Sequence, residues 1–345
     1  MDPNKHITLR DVGEFKLIER IRSIVPRLQD ASVVRGIGDD AAVLRLNNDR
    51  LLLATCDIQI QGQHFDVNDS TYYRIGKKAA AVNLSDIAAM GGVPRFALVS
   101  LGLPQELELN HFDDLYKGIG DTLRDFGTFI IGGNLSRSPG GIIIDITLLG
   151  ETDGNSFVTR DGARQGDSIY VSGQLGAAAT GHHILQKRDD ALNKKFAESI
   201  TAFCEPKPRV RLGHRLAQSG CITSMIDLSD GLLPDLSHVC TASNVGAVLW
   251  KNKRPLFVKK HLFENLTAVS ALELALNGGE DYELLFTIRP DTPGRLLQEI
   301  SKELETPLTH IGEIVPLEQG VKVIDEHGRP LEIEARGWDH FKDNS

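Results

Sequence analysis

The segment GIGDDAAVL at residues 36–44 sets two adjacent carboxylates, Asp39 and Asp40, between a glycine turn and an apolar run. Its glycines fit the spacing G-x-G-x-x-A, which after a strand marks a dinucleotide-binding turn. Charge argues against that use. Such a turn holds a pyrophosphate against backbone amides at a helix N-terminus, and two aspartates there would repel it. The loop suits a cation instead, while an ordinary tight turn stands as the bland alternative, since Gly and Asp both favour turns.

Four further aspartates share this setting. Asp57 stands in ATCDIQIQGQHF, Asp86 in AVNLSDIAAMGG, and Asp227 and Asp230 in IDLSDGL. Singly, each reads as a helix cap or turn residue. Together they describe a pocket whose floor comes from the ends of several apolar segments. Clustered carboxylates without matching bases raise one another's pKa and are unstable as anions unless hard cations neutralise them. Magnesium is the natural cation, because it prefers an octahedron of oxygens and is shared between carboxylates, waters and phosphates. The expected chemistry is magnesium-dependent phosphoryl transfer, where positioning and charge neutralisation supply most of the catalysis. No G-x-x-x-x-G-K-[ST] occurs, and G-x-G-x-x-G-x-V, HRD and DFG do not occur as a set. Neither common ATP-binding scaffold applies.

The elements that must position these groups follow from periodicity. GEFKLIERIRSIV reads as an opening amphipathic helix, and AAVLRL and RLLLATCDIQI as two strands joined by a turn at 47–49. Residues 71–90 read as an alanine-rich helix, FALVSLGLP as a strand, 111–126 as a helix leading into TFIIGGN, and GIIIDITLLGE as a further strand. A second α/β unit begins near 152, where polar, glycine-rich sequence precedes the strand DSIYVSG. It continues with a helix at PRVRLGHRLAQSG, strand and loop at ITSMIDLSDGL, and a helix at LLPDLSHVCTASN; strands GAVLW and YELLFTI and a GVKVI hairpin follow. The expected domains are 1–151, an N-terminal ATP/magnesium-binding and dimerisation domain, and 152–345, a C-terminal domain completing the cleft.

Composition narrows the class. The 345 residues suffice for about two domains. With 41% hydrophobic and 25% charged residues the chain is a folded globular protein. A net charge of -9 argues against a nucleic-acid or anionic-membrane surface. MDPNKHITLRDVGEF lacks the apolar core of a signal peptide, and no apolar run has the length of a membrane span, so a cytoplasmic location is expected. Cys56, Cys204, Cys221 and Cys240 form no C-x-x-C pair and no Cys/His metal spacing, and read as reduced thiols.

Seven blocks, GEFKLIERI, GIGDDAAVL, the D-x(6)-HF of Asp57 to Phe65, AVNLSDIAAMGG, IDLSDGL, GGEDYELLF and GWDHF, run in order from Gly13 to Phe341. In that order they resemble the thiamine-monophosphate kinase family. The resemblance implies the two-domain α/β (α+β) fold of the aminoimidazole ribonucleotide synthetase superfamily, mixed sheets with helices packed on them, and a homodimer joined through N-terminal strands. It implies direct transfer of a phosphoryl group from ATP to thiamine monophosphate, with several Mg2+ ions and no covalent nucleophile. By resemblance Asp40, Asp57, Asp86, Asp227 and Asp230 are magnesium ligands, and Asp39 shapes the turn or accepts hydrogen bonds behind the metal. Thr55, Tyr116, Gly133, Arg160 and Ser229 match nucleotide contacts. His64, Glu280 and Trp338 match acceptor contacts, the indole being suited to a cationic thiazolium and an aromatic pyrimidine.

Two positions depart from the family pattern. Asn134 stands in Gly132-Gly133-Asn134 where the family has GGD, so one magnesium site keeps an oxygen ligand but loses a charge. Cys56 replaces the middle hydroxyl of Ser-Thr-Asp, and a thiol is a poor partner for a hard metal. The rival readings are another ATP-dependent enzyme of the superfamily and a nucleotide-binding regulator that has lost catalysis.

Overall fold

The computed structural model describes residues 8–24, 30–46, 50–153, 156–253, 255–256, 263 and 270–333. The turn at 47–49 and the GWDHF segment with Trp338 lie outside them. The first unit runs α1 (Leu9–Val12), α2 (Glu14–Ile24), β1 (Val33–Arg35), β2 (Ala42–Arg45), β3 (Arg50–Ile60), α3 (Tyr72–Ala89), β4 (Val93–Leu103), α4 (Leu109–Asp125), β5 (Phe129–Arg137) and β6 (Ile143–Asp153). The second runs β7 (Ser168–Ser172), α5 (Ala177–Leu185), α6 (Asp190–Lys195), α7 (Ala197–Cys204), α8 (Val210–Gln218), β8 (Ile222–Asp227), α9 (Leu232–Ser243), β9 (Gly246–Trp250), α10 (Ala271–Asn277), β10 (Leu284–Ile288), α11 (Gly294–Glu303), β11 (Leu308–Val315) and β12 (Val321–Ile324).

Each unit is built on a six-stranded mixed sheet, ordered β1-β2-β3-β6-β4-β5 and β12-β9-β11-β7-β10-β8. Only β4–β5 and β9–β12 pair in parallel among the described strands. GVKVI forms one arm of a short hairpin, as its turn-flanked sequence suggests: an antiparallel bridge joins Ile324 to Pro330, the Asp325 N–H donates to the Arg329 carbonyl and the Leu331 N–H to that of Val323, while the other edge of β12 lies parallel along β9. Strand alternation decides which face is covered. On β3, Leu51, Leu53, Thr55 and Gln59 are buried, while Cys56, Ile58 and Ile60 are exposed on the other face.

α3 is the central element. Thr71 caps its start by accepting the Arg74 N–H at 3.3 Å. Ala79, Ala80, Ala81, Leu84, Ile87, Ala88 and Ala89 are all buried, so the helix packs on several sides instead of presenting one apolar stripe. Small residues make this possible. A Cβ on Gly76 would stand 2.1 Å from the Leu115 carbonyl oxygen, one on Gly118 2.0 Å from that of Tyr73, and one on Gly213 2.0 Å from that of Ala88. One core accordingly runs from the first sheet through α3 to α8, β8 and β10, with Leu216, Met225 and Phe286 buried in it. The isolated DFG at 125–127 is the end of α4, with Gly127 at φ 68°, and has no relation to a kinase loop.

α5 to α7, α10, α11 and β11 are not anticipated from the sequence. AAATGHHIL in α5 is small and apolar on most sides and shows no helical stripe, because much of it is buried.

Close helix packing predicts opposite effects from two alanine substitutions in α4. Gly118→Ala gains the usual helix propensity of about 1 kcal/mol, but drives a Cβ into the α3 backbone; we expect a net loss of about 1–3 kcal/mol and a lower Tm. Gly120 faces open space, so Gly120→Ala should leave Tm unchanged or raise it. Equal melting shifts in the two variants would remove the packing argument.

Candidate active site

The carboxylates are delivered to one cleft by elements of both units. Gly38 takes φ 121°, a conformation side chains avoid, and turns the chain so that Asp40 is buried just before β2. A strand follows rather than a helix, so this is no phosphate cradle. Asp39 Oδ1 accepts the backbone N–H groups of Asp40 and Arg160, each at 3.2 Å; it holds the turn and binds it to the segment that crosses between the units. Thr55 and Asp57 share the covered face of β3. Asp86 sits in the last turn of α3, where the helix dipole disfavours an anion, and Asp227 ends β8.

Carboxylate oxygens of Asp40, Asp86 and Asp227 lie within 4.8 Å of one another. Thr55 Oγ1 donates to Asp86 Oδ2, and Ser85 Oγ donates to Asp227 Oδ2 at 2.6 Å. The expectation of no matching base is corrected here: the Arg160 guanidinium pairs with Asp40 Oδ1, its Nε at 3.2 Å. The other oxygen, Asp40 Oδ2, is buried without a hydrogen-bond partner among the described residues.

The electrostatics follow from this crowding. Burial first, and then Asp40, push Asp227 up to about 7. Burial, reinforced by Asp40, Asp145 and Glu14, raises Asp57 to about 6. Asp86 is driven well above the carboxylate range by burial and then by Asp57, Asp227 and Asp40. Asp39 rises to about 6 for the same two reasons, burial and Asp40. Although burial opposes its charge, Arg160 is held protonated above its ordinary range by Asp40. These oxygens, one of them orphaned, are a donor set for a hard divalent cation such as Mg2+.

A second group adjoins the first. Asp230, Asp235 and His238 offer ligand atoms within 4.8 Å of one another. Asp235 Oδ2 accepts the backbone N–H groups of Asp230 at 3.2 Å and Gly231 at 3.1 Å, which ties the 227–231 loop to α9. Burial, then Asp230 and Asp227, raise its pKa well above the usual range. Sequence reasoning misses Asp235, whose position in the first turn of α9 reads only as a favourable helix acid. Glu14 of α2 also lines the cleft.

At the other end, His64 Nδ1 accepts the Ile60 N–H at 3.0 Å, which orients the imidazole. Glu280 takes φ 65° and Tyr282 φ 47°, left-handed conformations that non-glycine residues seldom adopt. The Glu280 N–H donates to the Ser229 carbonyl at 2.8 Å and the Tyr282 N–H to that of Leu228 at 2.9 Å, lacing this loop to the one carrying Asp230. Asp281 anchors the loop by accepting the Gly176 N–H at 2.8 Å at the start of α5.

The cleft that contains Asp40, Thr55, Asp57, His64, Asp86, Arg160, Asp227, Ser229, Asp230 and Glu280 encloses about 2100 Å³. That exceeds the roughly 300–1,000 Å³ of a single-ligand pocket and leaves room for two substrates. Tyr116, Gly133 and Asn134 are not brought there; they line a separate groove of about 670 Å³ along β5 and α4. Gly133 shares a row with Val99, Ile146 and Asp57, so three strand spacings, roughly 14 Å, lie between it and Asp57.

Residues 38–152 match the family "AIR synthase related protein, N-terminal domain", and residues 164–325 match "AIR synthase related protein, C-terminal domain". The chain is 33% identical to a thiamine-monophosphate kinase of Aquifex aeolicus (strain VF5) over 96% of its own length and 99% of the relative's. It is 36% identical to the thiamine-monophosphate kinase of Escherichia coli (strain K12), covering 95% of this chain and 98% of that one. A solved structure described as AaThiL complexed with AMPPCP and TMP superposes with a TM-score of 0.83 at 32% identity, covering 97% of this chain and 99% of that one. Matched over almost their full length in sequence, and over the whole two-unit architecture in structure, these relatives show that the chain belongs to the thiamine-monophosphate kinase family.

Proposed function

We propose that this protein transfers the γ-phosphoryl group of ATP to thiamine monophosphate, in a direct in-line, magnesium-dependent reaction giving ADP and thiamine diphosphate. The observation that carries the reading is the buried convergence of Asp40, Asp86 and Asp227 around a carboxylate oxygen unpartnered among the described residues, in a chain of this family. Asp40, Asp57, Asp86, Asp227 and Asp230 would hold Mg2+. Bound there, the metal supplies neutralising charge for the carboxylates and the transferring phosphoryl group. Thr55, Arg160 and Ser229 line the nucleotide end; His64 and Glu280 line the acceptor end. An acceptor phosphate oxygen attacks the γ-phosphorus while the bond to the β-phosphate oxygen breaks. The attacking oxygen is already ionised, so no general base is required. Cys56 does not weaken the reading, because its Sγ donates to Asp145 Oδ1 at 3.0 Å on the face opposite Thr55 and Asp57.

We assign residues 1–151 to nucleotide, metal and dimer contacts and 152–345 to completing the cleft, and we place the reaction in the cytoplasm. The homodimer reading rests on the first sheet. Among the described strands its β5 is paired on one side only, and Ile58, Phe96, Phe129, Ile131 and Leu135 are exposed on this sheet. An apolar sheet of this kind is a liability unless another surface covers it. Gly133 and Asn134 lie on β5 and Tyr116 on the neighbouring α4, and we assign them to the cleft of the second copy.

Substrate-dependent ADP and thiamine diphosphate formation tests the reaction. Asp57→Asn and Asp227→Asn should each lower kcat on the order of 100-fold or more, the scale of removing one preorganised electrostatic contact. ATP binding without diphosphate at any magnesium concentration would sink the kinase reading and favour a regulator.

The raised carboxylates set the sign of the pH response. A folded pKa above the unfolded value, 3.8, means the folded state holds more protons in between, so stability present below about 4 is lost as pH rises through about 6 to 7. In chelator, Tm should fall between about pH 5 and 8; added Mg2+ should restore it at the upper end and release protons. A Tm that rises with pH, or ignores Mg2+, would contradict the metal assignment.

The double variant Phe129→Glu, Leu135→Glu should run as a monomer in light scattering and lose activity along with dimerisation. A monomeric parent protein would overturn the dimer reading.

A further inference from the structure

Resting on the kinase reading, we infer that Lys78 is the positioning residue of the acceptor end, fixing the width of the pocket between the two units. Its side chain is almost fully enclosed, 3% of the residue being exposed, and no motif considered above includes it. A buried ammonium is costly unless neighbouring groups compensate its charge, and here a carboxylate, a carbonyl and an aromatic ring surround it. Nζ lies 2.7 Å from Glu280 Oε2, donates to the His64 carbonyl at 3.3 Å, and stands 3.8 Å from the centre of the Phe203 ring. The ring's neighbour His182 stacks against it with centroids 4.8 Å apart.

Lys78 therefore joins the loop bearing His64, from the first unit, to the loop bearing Glu280, from the second. Those are the residues assigned to the acceptor. Ile75, Lys78, Val82 and Asp86 all line the cleft, a spacing that puts them along one face of α3. Eight residues of helix separate Lys78 from Asp86, about 12 Å of rise, so one rigid element sets the distance from acceptor end to metal end. Glu280 in turn holds the Ser229 carbonyl. Ion-paired with Glu280 and donating to the His64 carbonyl, Lys78 acts through those two residues rather than on a phosphate.

The test uses the full-length protein and the variants Lys78→Met, Lys78→Arg and Glu280→Gln, with KM measured separately for thiamine monophosphate and for ATP at saturating Mg2+. Lys78→Met should raise KM for thiamine monophosphate about ten-fold or more, with KM for ATP within about two-fold. Lys78→Arg should recover part of the loss, and Lys78→Met should add little on top of Glu280→Gln. Equal rises in both KM values, or a fall in Tm with both KM values unchanged, would overturn the inference. If Lys78→Met does not fold, the same comparison is made on Lys78→Arg, whose bulkier fork should still shift KM for thiamine monophosphate alone. Parent turnover is measured first. Absent thiamine diphosphate would count against the kinase reading, and the tie would then be read without substrate from the melting shifts of Lys78→Met, Glu280→Gln and the pair; additive shifts would overturn it.

Discussion

Like charges forced together out of water govern this structure. At an effective dielectric of about 20, two carboxylates 4.8 Å apart repel by roughly 3.5 kcal/mol. Three such pairs approach the whole stability of a typical domain, about 5–15 kcal/mol. Asp40, Asp86 and Asp227 cannot all stay ionised there on the strength of packing alone. Protons, Arg160 or metal must compensate; burial and crowding favour protonation, and Arg160 is in place. Asp227 and Asp86 have raised pKa values, and Arg160 holds Asp40. Thr55 and Ser85 stabilise one oxygen each by hydrogen bonds.

Such a cluster has to be held by a scaffold that cannot relax outward. α3 meets that demand by being buried on most sides, which only small residues permit. Ala79 to Ala81, and the glycine contacts of α4 and α8, bring neighbouring backbones close enough to lock the helix in register. The same helix presents Lys78 and Asp86 on the cleft side. The packing that makes the helix immobile thus also fixes the separation of the two ends of the cleft.

How far the sequence foretells this depends on the range of the interaction. Asp40, Asp86, Asp227 and Asp230 are legible because each stands near glycine or serine at the end of an apolar segment, a local signature, and Asp57 because it is a carboxylate in an apolar strand followed by the D-x(6)-HF pattern. The strand β3 and the capped helix α3 were legible from their period and from Thr71. Lys78 was not, since a lysine in a helix reads as a solvated charge until Glu280, some two hundred positions on, is seen beside it. The Arg160–Asp40 pair joins residues 120 positions apart, so the carboxylates looked unmatched. The parallel docking of β12 on β9 and the separation of Asn134 from Asp57 are likewise matters of topology.

The pairing of the cleft's cations bears on why a metal is needed. Arg160 is engaged by Asp40, Lys78 by Glu280 and Arg74 by Glu205, while Arg188 stands 3.7 Å from Asp66 and from Asp69. Each cation among these described residues already answers a carboxylate. A triphosphate entering this cleft would meet a negative surface, and breaking any one pair to receive it would strand a buried or half-buried anion. On the proposed reading, the phosphates must bring their own countercharge. A divalent ion held by Asp40, Asp86 and Asp227 would supply that countercharge, which no rearrangement of these side chains alone can do.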